Sequence, residues 1–278
     1  KLALIPAAQG SKLFSVLPSS GVGDFDFSRS GKATRINSQG LIEEVSNGQS
    51  RLNYPLIDGK VVGCPHHILE PARTNLIEYS EDFSQSYWTK GGSSASSNNA
   101  ISPDGTLNAD KLVEDSSNSF HGFYQNANIS LPIGKITMSI FVKANGRDYF
   151  QLRTGSAGGI TQAPLYANFD LTNNSVTASS SGVNDSKVEV FNNGWKKVSI
   201  TFTVTSGSQV SLVFQPITTS SASIGQTYQG DGTSGVYIWG AQVEQGSYPT
   251  SYIPTNGSAT TRSAETANGS GDAATFND

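Results

Sequence analysis

Lys135-Ile136-Thr137-Met138-Ser139-Ile140-Phe141-Val142-Lys143 is the stretch from which the fold is read. Ile136, Met138, Ile140 and Val142 recur at every second position, and on extended backbone that spacing puts all four on one face. Three later runs repeat the pattern. Leu165, Ala167, Phe169 and Leu171 share a face in 165–171, and so do Val198, Ile200, Phe202 and Val204 in 197–204. Val210, Leu212 and Phe214 do the same in 210–215. Gly, Asn, Ser or Pro follows each run, and no 3.6-residue periodicity fills the intervals. The expected fold class is all-β: an antiparallel β-sandwich or jelly roll with a loop-rich N-terminal region. Any helix is expected to be a single turn at Ser80-Glu81-Asp82-Phe83.

Composition agrees. Charged residues make up 14% of the 278, against roughly 25% in an average soluble domain. The 29 glycines, with abundant Ser, Thr and Asn, favour strands and turns. A net charge of −4 gives no broad positive field, so no nucleic-acid partner is expected. Cys64 is the one cysteine, which excludes an intramolecular disulfide and argues against a cysteine-based zinc site. No apolar run approaches the roughly 18 to 20 residues needed to cross a bilayer as a helix, so no membrane span is expected. The chain starts without Met and ends on Thr275-Phe276-Asn277-Asp278 after a linker-like stretch, and is expected to be cut from a longer polypeptide.

Texture divides the chain into three zones. Residues 1–65 are loop-rich, with glycines so close that only short strands fit, and are expected to serve as an attachment or packing region. Within them, Ala33–Ile36 and Leu41–Val45 predict a ribbon turning at Asn37-Ser38-Gln39-Gly40. Residues 66–261 carry the alternating runs, and 262–278 read as a linker-like tail.

Chemistry-bearing motifs are weak. Gly31-Lys32-Ala33-Thr34 lacks the glycine five residues upstream that a phosphate loop requires, since Asp26 stands there. His66-His67 beside Cys64 has no second ligand pair and reads as a pair at a turn; His121 reads as a hydrogen-bonding loop residue. Glu70, Glu78, Glu81, Asp82, Glu114, Asp170, Glu189 and Glu244 could supply a carboxylate pair for glycoside hydrolysis, but turn caps and surface charges account for them more simply. No catalytic residue and no metal ligand is assigned.

The aromatic residues say more when sorted by face. If Phe150 and Leu152 point into the core, Tyr149, Gln151 and Arg153 point out of it. Tyr166 and Asn168 stand on the corresponding face of their own strand. A flat ring flanked by amides and a cation suits a sugar, which stacks on the ring and hydrogen-bonds through its hydroxyls. Tyr149, Gln151, Arg153, Tyr166 and Asn168 are therefore the candidate carbohydrate-binding residues, for a neutral or anionic polysaccharide. Trp88, Trp195 and Trp239 are expected in the core.

Longer phrases resemble a known family. They are Leu69-Glu70-Pro71-Ala72-Arg73-Thr74-Asn75-Leu76-Ile77-Glu78-Tyr79-Ser80-Glu81-Asp82-Phe83 with Trp88-Thr89-Lys90, and Val236-Tyr237-Ile238-Trp239-Gly240-Ala241-Gln242-Val243-Glu244-Gln245-Gly246 with Pro249-Thr250-Ser251-Tyr252-Ile253-Pro254-Thr255. Pro103-Asp104-Gly105, Ala109-Asp110-Lys111-Leu112, Phe141-Val142-Lys143-Ala144 and Gly194-Trp195 fit between them, and Phe27-Ser28-Arg29-Ser30 with Ala33-Thr34-Arg35-Ile36-Asn37 fits upstream. The chain resembles bacteriophage and prophage virion appendage proteins, fibres or spikes, with a jelly roll like that of carbohydrate-binding modules. The resemblance implies a non-enzymatic structural protein of the virion that binds host-surface polysaccharide beside other virion proteins, as a homo-oligomer, a trimer first. It carries over no catalytic motif. Related modules often hold a structural calcium through acidic residues of the last strand; Trp239-Gly240 stands there instead, which argues against calcium, and no cofactor is implied. The rival reading is a carbohydrate-binding module of a secreted polysaccharide-degrading enzyme, with a lyase or hydrolase as a third.

Overall fold

The structure, a computed structural model, describes residues 7–9, 12–14, 25–125, 129–155, 159–160 and 163–268. It divides into two units, one formed by 1–73, 250–253 and 261–278, the other by 74–249 and 254–260.

The larger unit is an antiparallel β-sandwich. In chain order its main strands are β1 (Trp88–Gly91), β2 (Ser93–Ile101), β3 (Leu107–Glu114) and β4 (Gly122–Gln125). There follow β5 (Gly134–Asn145), β6 (Tyr149–Thr154), β7 (Tyr166–Asp170) and β8 (Ser175–Ser179). Last come β9 (Val183–Val190), β10 (Lys196–Val204), β11 (Leu212–Ile217) and β12 (Gly235–Gln245). One six-stranded sheet, the front sheet, has the order β1-β4-β11-β6-β7-β8; the other, the back sheet, runs β2-β3-β12-β5-β10-β9. The chain passes repeatedly from one sheet to the other, so neither can fold as a local meander.

Between the sheets lies the core that the alternation predicts. Ile136, Met138, Ile140 and Val142 of β5, and Val198, Ile200, Phe202 and Val204 of β10, belong to one buried cluster with Phe150, Leu152, Phe169, Leu212 and Phe214 of the front sheet. Phe123, Phe214, Leu152 and Ala167 line up across four front strands in register. Burying each large apolar side chain contributes about 1.5–3 kcal/mol, which is why the period-two residues dictate the layers.

In β12 the period breaks. Ile238 and Ala241 both enter the core although three residues apart. Gly240, at φ +63°, sits at the register shift against β5 that makes this possible. An extra residue in the left-handed region reverses the facing of everything after it. Ala241 and Val243 consequently enter the core, while Trp239, next to core-facing Ile238, points away from it by ordinary alternation. All three tryptophans are buried as expected, but Trp239 packs on Phe141 at 5.3 Å between ring centres, and Phe141 on Phe191 at 4.9 Å.

The expected helical turn at Ser80–Phe83 is absent. Side chains hold that segment as a bend: Asp82 Oδ1 accepts the Ser84 N–H at 3.0 Å, and Asp110 Oδ2 accepts the Phe83 N–H at 2.9 Å. The helical element among the described residues is a 3-10 turn at Asn192–Gly194.

The smaller unit carries short strands, as its glycine spacing predicts. Ala33–Ile36 pairs with Ile42–Val45 across a turn closed by Gly40, at φ +77°, whose N–H donates to the Asn37 carbonyl. His66 and His67 lie not in a turn but on the strand His66–Ile68, which pairs with Arg51–Asn53. The reading of 262–278 as a linker-like tail also needs correction over its first seven residues. Thr266–Asn268 pairs with strand Phe25–Ser28, and Arg262 and Glu265 are buried. Residues 269–278 lie outside the described residues.

Candidate functional site

Phe150 and Leu152 face the core, so the other face of β6 carries Tyr149, Gln151 and Arg153, as the alternation predicts. Facing outward is not the same as facing solvent. Gln151 and Asn168, cross-strand neighbours, are both 0% exposed. Their amides hold the loop that follows β11. Gln151 Nε2 donates to the Ser223 carbonyl at 3.1 Å and its Oε1 accepts the Gly225 N–H at 2.8 Å. Asn168 Nδ2 donates to the carbonyls of Ala222 at 2.8 Å and Ser220 at 3.2 Å, and Gln151 Nε2 reaches Asn168 Oδ1 at 2.8 Å. These two amides are therefore committed to the protein's own backbone, and residues 220–225 lie across the middle of the front sheet.

On one side of this strap stands Tyr149, half-buried, opposite Asp170. On the other side the register sets Arg153 directly opposite Tyr166. Tyr149 and Arg153 are four residues apart on one strand, about 13 Å. The structure thus brings together Arg153 and Tyr166 and leaves Tyr149 apart from them.

Two further rings complete the Arg153 side. Tyr124 is opposite Val213, which is itself opposite Arg153, so Tyr124, Arg153 and Tyr166 form one cross-strand row. Phe120 comes from the strand Asn118–Phe120 just before β4. Its ring lies where side chains at Gly91 and Gly122 would be: a carbon added to Gly91 would meet the ring at 2.8 Å, and one added to Gly122 at 2.6 Å. The paired glycines make a flat bed on which only a ring without competing side chains can lie. The Arg153 guanidinium then sits over Phe120, 5.3 Å from its centre, and Tyr124 is 6.4 Å from the same ring. Tyr124 was recoverable from sequence, because Phe123 and Gln125 point the other way. Phe120 was not, since its seat exists only after β1 and β4 pair.

Arg153 is electrostatically unusual. Among the described residues it forms no ion pair, and its Nε is buried without a hydrogen-bond partner. Burial pushes its pKa below the ordinary value for arginine. The row therefore offers a half-buried cation backed by one ring and flanked by two others, with solvent on the open side. Such a surface can stack a flat apolar ligand face and donate several hydrogen bonds beside it.

A separate cavity of about 300 Å³ is lined by Glu81, Asp82, Ser84, Ser97, Asn98, Asn108 and Asp110. Both Asp110 oxygens accept backbone N–H groups, from Phe83 and Asn98, so this carboxylate holds the loops rather than a ligand. Burial raises its pKa. His121 bridges the Gly92 and Tyr228 carbonyls through its two ring nitrogens, consistent with the structural loop role expected for it.

Among known proteins, no family model matches the chain and no curated protein matches it in sequence. Solved structures that match include the CBM22-1 and GH10 modules of an endo-1,4-β-D-xylanase from Clostridium thermocellum complexed with xylohexaose. That match has 14% identity and a TM-score of 0.35, and covers 66% of this chain and 30% of that one. The CBM22-1 xylan-binding domain from Paenibacillus barcinonensis matches with 13% identity and a TM-score of 0.34, over 62% of this chain and 96% of that domain. The enzymatically active domain of tailspike protein 4 of bacteriophage CBA120 matches with 13% identity and a TM-score of 0.32, over 61% of this chain and 21% of that one. The chain spans less than a third of the xylanase and tailspike chains it matches.

Proposed function

We propose that the sandwich is a non-enzymatic glycan-binding module displayed on a phage virion appendage, and that it contacts polysaccharide through the row Tyr124, Arg153 and Tyr166 backed by Phe120. The observation that carries this reading is the Arg153 guanidinium, half-buried over an aromatic ring with no protein carboxylate to meet it among the described residues. A sugar stacked on Tyr166 gains apolar contact while its hydroxyls face the guanidinium. Tyr149 falls outside this site, and Gln151 and Asn168 support it by holding the strap. Virion placement rests on the sequence resemblance. Display of several copies would raise effective concentration and make weak single sites sufficient; a homo-oligomer, trimeric first, is part of the proposal, and a 29.3 kDa particle by light scattering would remove that part.

The test is isothermal titration of the purified chain against a panel of soluble polysaccharides, with reducing-end release measured alongside. Tyr166→Ala is expected to weaken binding about tenfold, since ring stacking contributes about 0.5–1.5 kcal/mol beyond the area it covers. Its stability should change by less than about 1 kcal/mol, as at other part-exposed positions. A silent panel, or undiminished binding in the variant, removes the glycan site; sustained release of reducing ends removes the non-enzymatic reading.

A further inference from the structure

Most of the buried and half-buried arginines described in this protein meet a carboxylate. Arg147 grips Glu114 with two contacts, at 2.8 and 2.5 Å. Arg35 pairs with Glu43, Arg29 with Glu265, Arg262 with Glu70, and Arg51 with both Glu70 and Glu265. Arg153 departs from this rule. Its surroundings are the Phe120 ring, the cross-strand Tyr166 and Val213, and Gly225, where an added side-chain carbon would lie 3.7 Å from Cζ; none of them carries a negative charge.

A cation taken partly out of water loses solvation that a hydroxyl recovers poorly and an oxyanion recovers well. The guanidinium is also the side chain whose planar fork matches a carboxylate in two parallel hydrogen bonds. Stacking over Phe120 occupies its face and leaves in-plane N–H groups for a partner. The neighbouring tyrosine rings supply a place for the uncharged body of such a ligand, which a free inorganic anion would not use.

We infer that the glycan bound at this row is acidic, and that Arg153 receives its oxyanion, a uronate carboxylate or a sulfate, in a bidentate contact. This rests on the glycan-binding reading and narrows it to a substrate class.

The experiment compares three polymers on the full chain by titration calorimetry: polygalacturonate, the same polymer after its carboxylates are reduced to hydroxymethyl groups, and dextran sulfate. The expected result is that at least one charged polymer binds ten or more times tighter than the reduced one. Arg153→Gln should lose about tenfold or more on that charged polymer and nothing on the reduced one, the range expected for hydrogen bonds to a charged group. Arg153→Lys, which keeps the charge and loses the fork, should fall between. Preference for dextran sulfate assigns the anion as sulfate, and preference for polygalacturonate assigns it as carboxylate. If the reduced polymer binds as tightly as the charged ones and Arg153→Gln weakens neither, while Tyr166→Ala weakens both, the acidic class is overturned and the glycan site stands. If no polymer binds, or Tyr166→Ala changes nothing, the glycan reading itself falls. Melting temperature separates a structural role: removing an unpaired, partly desolvated cation should leave it unchanged or raised. Lower melting in both Arg153 variants with unchanged binding would make Arg153 a packing residue and overturn the inference.

Discussion

Phe202 and Thr201 are adjacent in β10 and face opposite ways. Phe202, 0% exposed, fills the space between the sheets, so Phe202→Ala should cost about 3–5 kcal/mol through lost transfer energy and the cavity left behind. From alternation alone Thr201 looks solvent-facing and cheap to replace. The structure buries it too, at 3% exposure, with its hydroxyl 2.8 Å from that of Thr137, which in turn donates to the Gly246 carbonyl at 3.0 Å. Thr201→Ala should therefore cost about 1 kcal/mol, the net worth of a buried hydrogen bond, rather than nothing. Urea unfolding of the two variants would check both values; equal losses would mean the register of β10 is wrong. Alternation told which side each residue takes, and could not tell what else lies on that side.

The strap 220–225 shows the same point for an element. Nothing in Ser220-Ser221-Ala222-Ser223-Ile224-Gly225 predicts a seat on the front sheet, since small polar residues specify only a loop. The seat is made by Gln151 and Asn168, which are contributed by two other strands. Replacing Asn168 by Ala leaves the buried Ala222 carbonyl without its donor, while the Ser220 carbonyl keeps the Thr177 hydroxyl at 2.7 Å, and the double change with Gln151→Ala also frees the Gly225 N–H. The expected loss is about 1–3 kcal/mol for the single variant, with faster hydrogen exchange at the Gly225 amide in the double variant. Exchange at Gly225 that matches the wild type would show the strap to be held by other means. Of the five residues marked as a glycan site from sequence, Arg153 and Tyr166 meet on one row, Tyr149 stands apart, and the two amides prove to be fasteners. Amides look alike to a sequence reader whether they await a sugar or a backbone.

At the scale of the molecule, the smaller unit is organised by charge. Arg29, Arg51 and Arg262 surround Glu70 and Glu265, with Arg29, Arg51, Arg262 and Glu265 all buried. Burial by itself would raise the Glu70 pKa. Arg262 and Arg51, with the Ser251 hydroxyl and N–H at 2.6 and 2.9 Å, outweigh it and hold the carboxyl below its ordinary 4.5. A folded-state pKa lowered beneath the unfolded value contributes stability that is fully present above about 4.5 and is lost as pH falls through the folded value. Melting curves from pH 7 down to 3 should therefore steepen in their loss below about 4.5, and Glu70→Gln should flatten that part while melting lower at neutral pH, where two buried arginines lose a partner. An unchanged acid limb in the variant would remove Glu70 as its source.

Local chemistry was sufficient for the layers of this protein and for the ribbon at Asn37–Gly40, because period-two burial and positive-φ turns act over a few residues. It also sorted Arg153 and Tyr166 onto the correct face. What only tertiary structure decided depends on residues distant in the chain. The bulge at Gly240 turns Ala241 and Val243 into the inter-sheet core, the glycines of β1 and β4 seat Phe120, two amides tie down a strap more than fifty residues away, and the segment around Glu265 joins charges some two hundred residues upstream. Burial of a polar group is worth its cost only where such distant partners arrive, and a sequence lists the groups without saying which will meet.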